Sequence, residues 1–233
     1  MSTEHPIIFS AAMIDALLAG RKTQTRRLIK PQPPAHQKEV QYPAVEVASS
    51  SPLVRKDRYD ACRFWHYAGD GTSSSPLIKS RYGAPGDQLW VRETWCLSDP
   101  EFEHQLPPTP RPSKDGRWVY YRATEPDIEG RDNKSPWRTP IYMPRWASRI
   151  TLEITSLRVE RLQSITEEDA QAEGLDHDEK WWYGPMHRVK QMPTVFSTAR
   201  NAYRSCWNSL HPGAHEDWHA DPFVWVISFR KLD

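Results

Sequence analysis

The chain has 233 residues, enough for one elaborated domain with a hydrophobic core, and carries 31 basic and 30 acidic side chains for a formal net charge of +1. Because the net charge is close to zero, the protein as a whole does not attract polyanions strongly. Any nucleic acid must therefore be bound by a local basic patch. No leader is apparent and no apolar run approaches the roughly 18–20 residues of a membrane-spanning helix, which predicts a cytoplasmic protein without a membrane partner.

The chain begins with a strand, a helix and a second strand. "PIIFS" is a short apolar strand, and Ser10 can cap a helix with one apolar face, formed by Met13, Ile14, Leu17 and Leu18. Gly20 is suited to end that helix. Residues 23–29 then have the pattern of a strand, which ends at the prolines that follow.

The middle of the chain alternates strands with irregular segments. Residues 31–84 show no period beyond a short strand near "RFWHYAG", and we interpret them as an insertion. "PGDQLWVRETW" is a turn followed by a core strand, and "RWVYYRA" is another strand. Further insertions are predicted at 97–116 and 124–140. A long strand over about 150–159 follows, bent or bulged near Thr155–Ser156.

The last third contains two helices and a closing strand. Thr166 caps a short acidic helix that ends at Gly174, and a loop insertion is predicted at 176–193. A helix over roughly 194–209 precedes the strand "PFVWVISFR". The pattern predicts a single α+β domain over 1–233, a mostly antiparallel curled sheet or small β-barrel with two or three packed helices and long loop insertions.

Several of these segments together resemble one family. The helix ending in "AGRKTQTRR", the strand "GDQLWVRETW", and "LQSITEEDAQAEGL" followed by "FVWVISF" are similar to the ASCH domain, a PUA-like β-barrel family, and most of all to its longer phage and prophage members. The resemblance covers both ends and the middle of the chain but not the insertions. It implies a PUA-like barrel with a pocket for a modified or extruded base.

The resemblance also implies a set of catalytic residues. Small bacterial ASCH proteins that act as N4-acetylcytidine amidohydrolases use a lysine, a threonine and a glutamate, which correspond to Lys22, Thr25 and Glu173. A threonine hydroxyl needs a neighbouring base near neutral pH, and a lysine whose ammonium form is destabilised by burial or nearby cations can serve. Glu173 can orient the lysine, move a proton to the leaving amine or activate water.

The spacing of these residues sets a structural condition. Lys22 and Thr25 are three residues apart, and in a regular strand an odd separation places side chains on opposite faces. They reach one pocket only if Lys22 lies in the turn before the strand and Thr25 points inward. From residue content alone, "RKTQTRR" is more typical of a solvated turn or a phosphate-contacting patch than of a catalytic site, and Glu173 is more typical of an exposed helix position.

Other residues are candidates for substrate binding. Arginines suit contacts with phosphate or carboxylate groups, and the candidates are Arg21, Arg26, Arg27, Arg145 and Arg149. The alternative for the last two is a barrel rim held by salt bridges. Exposed aromatic side chains in the loop at 181–183 are candidates for stacking on a base, whereas five tryptophans in periodic segments are expected in the core: Trp90, Trp95, Trp146, Trp207 and Trp225.

No metal or other cofactor is expected. Proline and glycine interrupt "HPGAHEDWH", so its histidines do not share a helical face, and the three cysteines fit neither a zinc site nor a disulfide framework. We therefore expect a metal-independent amidohydrolase acting on an N-acylated or otherwise modified cytosine nucleoside. One alternative is a binding module for RNA or for a modified base in a single strand, or a ribonuclease. Another is an accessory phage protein that acts through partner proteins. The oligomeric state stays open.

Overall fold

The computed structural model describes residues 2–32, 40–41, 44–47, 55–58, 60–64, 77–97, 113–114, 117–125, 136–183, 194–213 and 215–232. More than half of each of the four predicted insertions lies outside these residues. Within the described part the fold is mixed α+β, with three α-helices and mainly antiparallel strand pairs.

The helices are α1 (Ala11–Leu18), α2 (Glu167–Ala172) and α3 (Ala199–Leu210). No helix in the described residues is long and apolar enough to cross a membrane. The strands, in chain order, are β1 (Glu4–Ile8), β2 (Gln24–Leu28), β3 (Val40–Gln41), β4 (Ala44–Val47), β5 (Arg55–Arg58), β6 (Ala61–Phe64), β7 (Leu77–Lys79), β8 (Gln88–Arg92), β9 (Trp95–Leu97), β10 (Val119–Tyr121), β11 (Thr151–Arg161), β12 (Asp176–His177), β13 (Trp182–Tyr183), β14 (Val195–Phe196) and β15 (Phe223–Leu232).

The central sheet has five strands in the order β1-β8-β11-β15-β2. β1 and β8 are parallel, and the other neighbours are antiparallel. The β11–β15 register shifts between Ile154 and Ser156, which confirms the predicted bulge. No ladder joins the edge strands β1 and β2 in the described residues, so the sheet is not closed by strand pairing. Instead, Arg27 Nη2 on β2 donates to the Ile8 carbonyl at the end of β1, at 2.9 Å.

The caps predicted for the first two helices are confirmed. The Ser10 hydroxyl accepts a hydrogen bond from the Met13 amide, and the Thr166 hydroxyl accepts one from the Asp169 amide. The third helix begins later than predicted. Thr198 is its N-cap, and the preceding Val195–Phe196 segment pairs as β14 with β13. The prediction that this helix starts at 194 was wrong. Val195 and Phe196 fit the apolar periodicity of the helix, but they form a strand because β13, in the 176–193 segment, pairs with them.

Two of the three buried apolar clusters in the described part of the chain form layers on opposite faces of the central sheet, and the third lies around β9 and β10. One layer packs the α1 residues Ile14 and Leu17 against Trp225 and Ile227. The other packs α2 and α3 against Val224 and Val226, so β15 is buried on both faces.

Four of the five predicted core tryptophans are buried: Trp90, Trp95, Trp207 and Trp225. Trp146 is 41% exposed, and its assignment to the core was wrong. It lies in a short 3-10 turn, Arg145–Ala147, before the long strand begins, so strand alternation does not direct its side chain. Its ring instead stands edge-on against that of Trp95, with the centroids 6.1 Å apart.

Candidate active site

Lys22 lies between the end of α1 and the start of β2, as the spacing condition requires. Its amide donates to the Ala16 carbonyl of the helix, and its backbone forms an isolated antiparallel bridge with Glu173. The Lys22 side chain is completely buried. The cluster "RKTQTRR" is therefore not a solvated turn at this position.

The Lys22 ammonium has three hydrogen-bond acceptors. Nζ lies 2.8 Å from the Gln24 carbonyl, 2.8 Å from the Glu173 carbonyl and 3.0 Å from Glu173 Oε2. These contacts use all three protons of a charged lysine. Burial lowers the pKa of Lys22, and the adjacent Glu173 carboxylate opposes this effect. Nζ also lies 5.4 Å from the centroid of the Phe9 ring.

Glu173 is buried at the C-terminal end of α2, and its interpretation as an exposed helix residue was wrong. Oε2 contacts Lys22, while Oε1 lies 3.5 Å from Arg26 Nη1, so the carboxylate sits between two cations. Gly174, with φ of +85°, turns the chain directly after it. A Cβ at Gly174 would lie 2.8 Å from the Cβ of Ala16, so this close approach of α2 to α1 requires glycine.

Thr25 is buried on β2 opposite Ile227, on the sheet face that packs against α1. Its hydroxyl has no hydrogen-bond partner in the described residues. The Gln24 carbonyl that accepts from Lys22 belongs to the peptide group preceding Thr25, which places Nζ beside the Thr25 backbone. The fold thus brings Lys22 and Glu173 into direct contact, whereas the Thr25 hydroxyl bonds to neither in this structure.

Arg26 points to the opposite face of β2, with a completely buried side chain. Nη2 donates to Asp169 at 2.7 Å and to Glu160 at 3.2 Å. Arg158 on β11 contacts the same two carboxylates and donates to the Gln24 side chain. Predicted as a substrate-binding residue, Arg26 instead makes internal ion pairs here.

The other predicted arginines fall into two groups. Arg27 lies near Lys22, with its guanidinium 5.5 Å from the Phe9 ring, and Arg21 is 3.8 Å from Asp176. Arg145 forms a two-point ion pair with Glu4 at the surface, and Arg149 forms a buried one with Glu93. Neither Arg145 nor Arg149 has a hydrogen bond or ion pair to Lys22, Thr25 or Glu173 within the described part of the chain, which favours the salt-bridge alternative for both.

Sequence reasoning missed the polar partners of this site: Gln24, Arg158, Glu160 and Asp169. One signal was available. Arg158 and Glu160 alternate along a strand in which Leu157 and Val159 contribute to the apolar core, so that strand carries charge on its second face. That face lies opposite Val224 and Val226, beside Arg26.

No group of three or more His, Cys, Asp or Glu side chains that could hold a metal ion occurs among the described residues. The histidines of "HPGAHEDWH" have separate surroundings. His211 stacks on Trp207 with ring centroids 4.1 Å apart, and His219 lies 3.3 Å from Arg204.

No family model, curated protein or solved structure matches this chain. The ASCH resemblance therefore depends on the motifs quoted above. A fold does not by itself imply an activity, so function must be argued from the chemistry of the site.

Proposed function

We propose that the protein is a metal-independent amidohydrolase of an N-acylated or otherwise modified cytosine nucleoside, of the N4-acetylcytidine type, built on an ASCH-type, PUA-like domain in the cytoplasm. The observation that carries this proposal is the buried Lys22–Glu173 pair, with 3.0 Å between Nζ and Oε2, at the residues that the family motif selects. Nζ also contacts the peptide group that precedes Thr25, whose hydroxyl has no hydrogen-bond partner among the described residues. A buried lysine on a carboxylate next to this peptide supports nucleophilic catalysis by the threonine.

The proposed reaction starts with proton transfer from Lys22 Nζ to Glu173 Oε2 across their direct contact, since burial disfavours the charged form of the lysine and lowers its pKa. Thr25 Oγ1 then attacks the acyl carbonyl, and its proton passes to the Lys22 amine. The C–N bond breaks as that proton moves to the leaving exocyclic amine. Water attacks the resulting acyl-threonine, which releases the carboxylic acid and restores the hydroxyl. Because Lys22 and Thr25 are almost inaccessible, substrate entry requires local movement of the surrounding segments.

Incubation with N4-acetylcytidine tests the proposal, and we expect acetate and cytidine in equal amounts, with no loss of rate in chelator. Thr25→Ala and Lys22→Met should each lower kcat by about 1,000-fold or more, and Glu173→Gln by about 100-fold or more. Thr23→Ala is the matched control, because Thr23 is exposed in the same segment. Full activity in Thr25→Ala, or no acid released from any of a panel of N-acylated cytosine nucleosides, would refute the proposal.

A second candidate function is binding of single-stranded RNA or of a modified base, with or without cleavage. Three exposed side chains, here called the aromatic patch, favour it: Arg138, Tyr142 and Trp146. Tyr142 is 75% exposed, Trp146 stands against Trp95, and the Arg138 guanidinium lies 5.1 Å from the Trp95 ring. Exposed aromatic rings with an arginine are suited to stacking on successive bases.

Fluorescence anisotropy with a labelled single-stranded oligoribonucleotide tests this second candidate. We expect Trp146→Ala to weaken binding by about 5-fold to 100-fold, since stacking on one aromatic ring contributes about 1–3 kcal/mol. Leu210→Ala is the control, because Leu210 is an exposed apolar side chain on α3 that offers no aromatic ring. Equal losses in both variants, or no salt-dependent binding by the unaltered protein, would reject the aromatic patch as a nucleic-acid site.

A further inference from the structure

The candidate active site must open before a substrate can reach it. The Lys22 side chain is completely inaccessible, and Thr25 is 1% exposed. A nucleoside has to contact both residues if they act as proposed. An element next to Lys22 must therefore move, and the hydrogen bonds that hold each neighbouring element indicate which one moves most easily.

Backbone hydrogen bonds hold α1, α2 and β15 to the segment around Lys22. The Ala16 carbonyl near the end of α1 accepts from the Lys22 amide. The Thr23 amide donates to the Ala172 carbonyl at the end of α2, and the Thr23 carbonyl accepts from the Phe229 amide on β15. Moving any of these three elements would break backbone hydrogen bonds in the interior, where water does not replace them.

The end of β1 is another neighbour, and it is bound to β2 differently. In the part of the chain that the structure describes, no backbone hydrogen bond joins β1, or Phe9 directly after it, to β2. Instead, Arg27 Nη2 donates to the Ile8 carbonyl at 2.9 Å. Ile8 is 47% exposed, so this hydrogen bond lies at the surface. The Arg27–Ile8 contact and the Phe9 ring are here called the seam.

The Phe9 ring connects the surface side of the seam with the buried amine. The ring is completely buried, and its centroid lies 5.5 Å from the Arg27 guanidinium and 5.4 Å from Lys22 Nζ. Opening the seam breaks one side-chain hydrogen bond and turns one ring, while the backbone hydrogen bonds of α1, α2 and β15 stay intact. Water can bind the Ile8 carbonyl and the guanidinium once they separate, so the net loss is small.

We propose that the seam is the entrance through which a substrate reaches Lys22, and that the Arg27 hydrogen bond to Ile8 holds this entrance closed. The inference rests on the proposed function for the identity of the substrate, a cytosine nucleoside. Access to the Lys22 amine can be measured without any substrate.

Acetylation of Lys22 by the N-hydroxysuccinimide ester of acetic acid, quantified by peptide mass spectrometry, tests the inference. We expect Arg27→Met to raise the rate about 2-fold to 10-fold, the net effect of one hydrogen bond. Burial lowers the pKa of Lys22 and the Arg27 charge adds to this effect, so loss of that charge alone would slow the reaction. Arg200→Met is the matched control, because Arg200 Nη2 also donates to a backbone carbonyl at the surface, that of Gln163.

Thiol labelling of Cys62, which is buried on β6 outside the seam, detects general unfolding in the same samples. Its rate should be equal in Arg27→Met and the unaltered protein. Unchanged Lys22 acetylation in Arg27→Met, an equal rise in Arg200→Met, or a parallel rise at Cys62 would overturn the seam as the entrance even in an active amidohydrolase. Faster acetylation of Lys22 alone, with no acid released from any N-acylated nucleoside, would support the entrance and reject the amidohydrolase.

Discussion

Replacing Gly174 with alanine will destabilise the folded protein by about 3 kcal/mol or more and separate α2 from the first helix. The new Cβ would lie 2.7 Å from the Cβ of Lys22 and 2.8 Å from that of Ala16. Both atoms are held by the backbone, so no rotamer change relieves the contact. The positive φ of +85° adds about 1 kcal/mol.

Urea denaturation followed by circular dichroism measures this change. Gly20→Ala is the matched control, because Gly20 also has a positive φ, of +74°, but nothing lies within 4 Å of the added Cβ. It should cost only about 1 kcal/mol. Equal losses of unfolding free energy at the two glycines would mean that the contact with Lys22 and Ala16 does not contribute to the destabilisation. The same displacement should lower amidohydrolase activity in Gly174→Ala, since Glu173 is its neighbour.

Replacing Arg149 with methionine will destabilise the protein by about 3–5 kcal/mol, because it leaves the buried Glu93 carboxylate unpaired. The two nitrogens Nε and Nη2 of Arg149 each lie 2.9 Å from a Glu93 oxygen, and the Arg149 guanidinium stacks 4.0 Å from the Tyr121 ring centroid. Burial raises the pKa of the Glu93 carboxyl, although the hydrogen bond and charge of Arg149 act to lower it. Without the arginine that pKa rises further, so the loss of stability grows as pH rises above the ordinary glutamate value.

Denaturation at several pH values checks this prediction. The double variant Arg149→Met/Glu93→Gln should recover much of the lost stability at neutral pH, since no buried charge remains. Arg145→Met is the control, because its pair with Glu4 is exposed and contributes about 1 kcal/mol or less. Similar losses of stability in Arg149→Met and Arg145→Met would show that burial does not make the Arg149–Glu93 pair more important for stability than the exposed Arg145–Glu4 pair.

Local features of the chain were predictable. Ser10 and Thr166 cap their helices because a side-chain oxygen accepts from a backbone amide three residues ahead, an interaction contained in a few consecutive residues. The last strand and the bulge in β11 follow from alternation that the sequence displays directly. The start of α3 and the exposure of Trp146 were not predictable, since each depends on what a neighbouring segment does.

The sequence by itself determined which groups are available near the first helix: an amine, a hydroxyl and two neighbouring guanidinium groups on a short strand. Only the tertiary structure decided their surroundings. Lys22 and Glu173 are 151 positions apart and meet because Gly174 lets α2 approach α1. Arg26 is buried rather than solvated because Asp169 and Glu160 come from other elements to compensate its charge. Burial of a charge depends on distant partners that supply its hydrogen bonds, which no local pattern encodes.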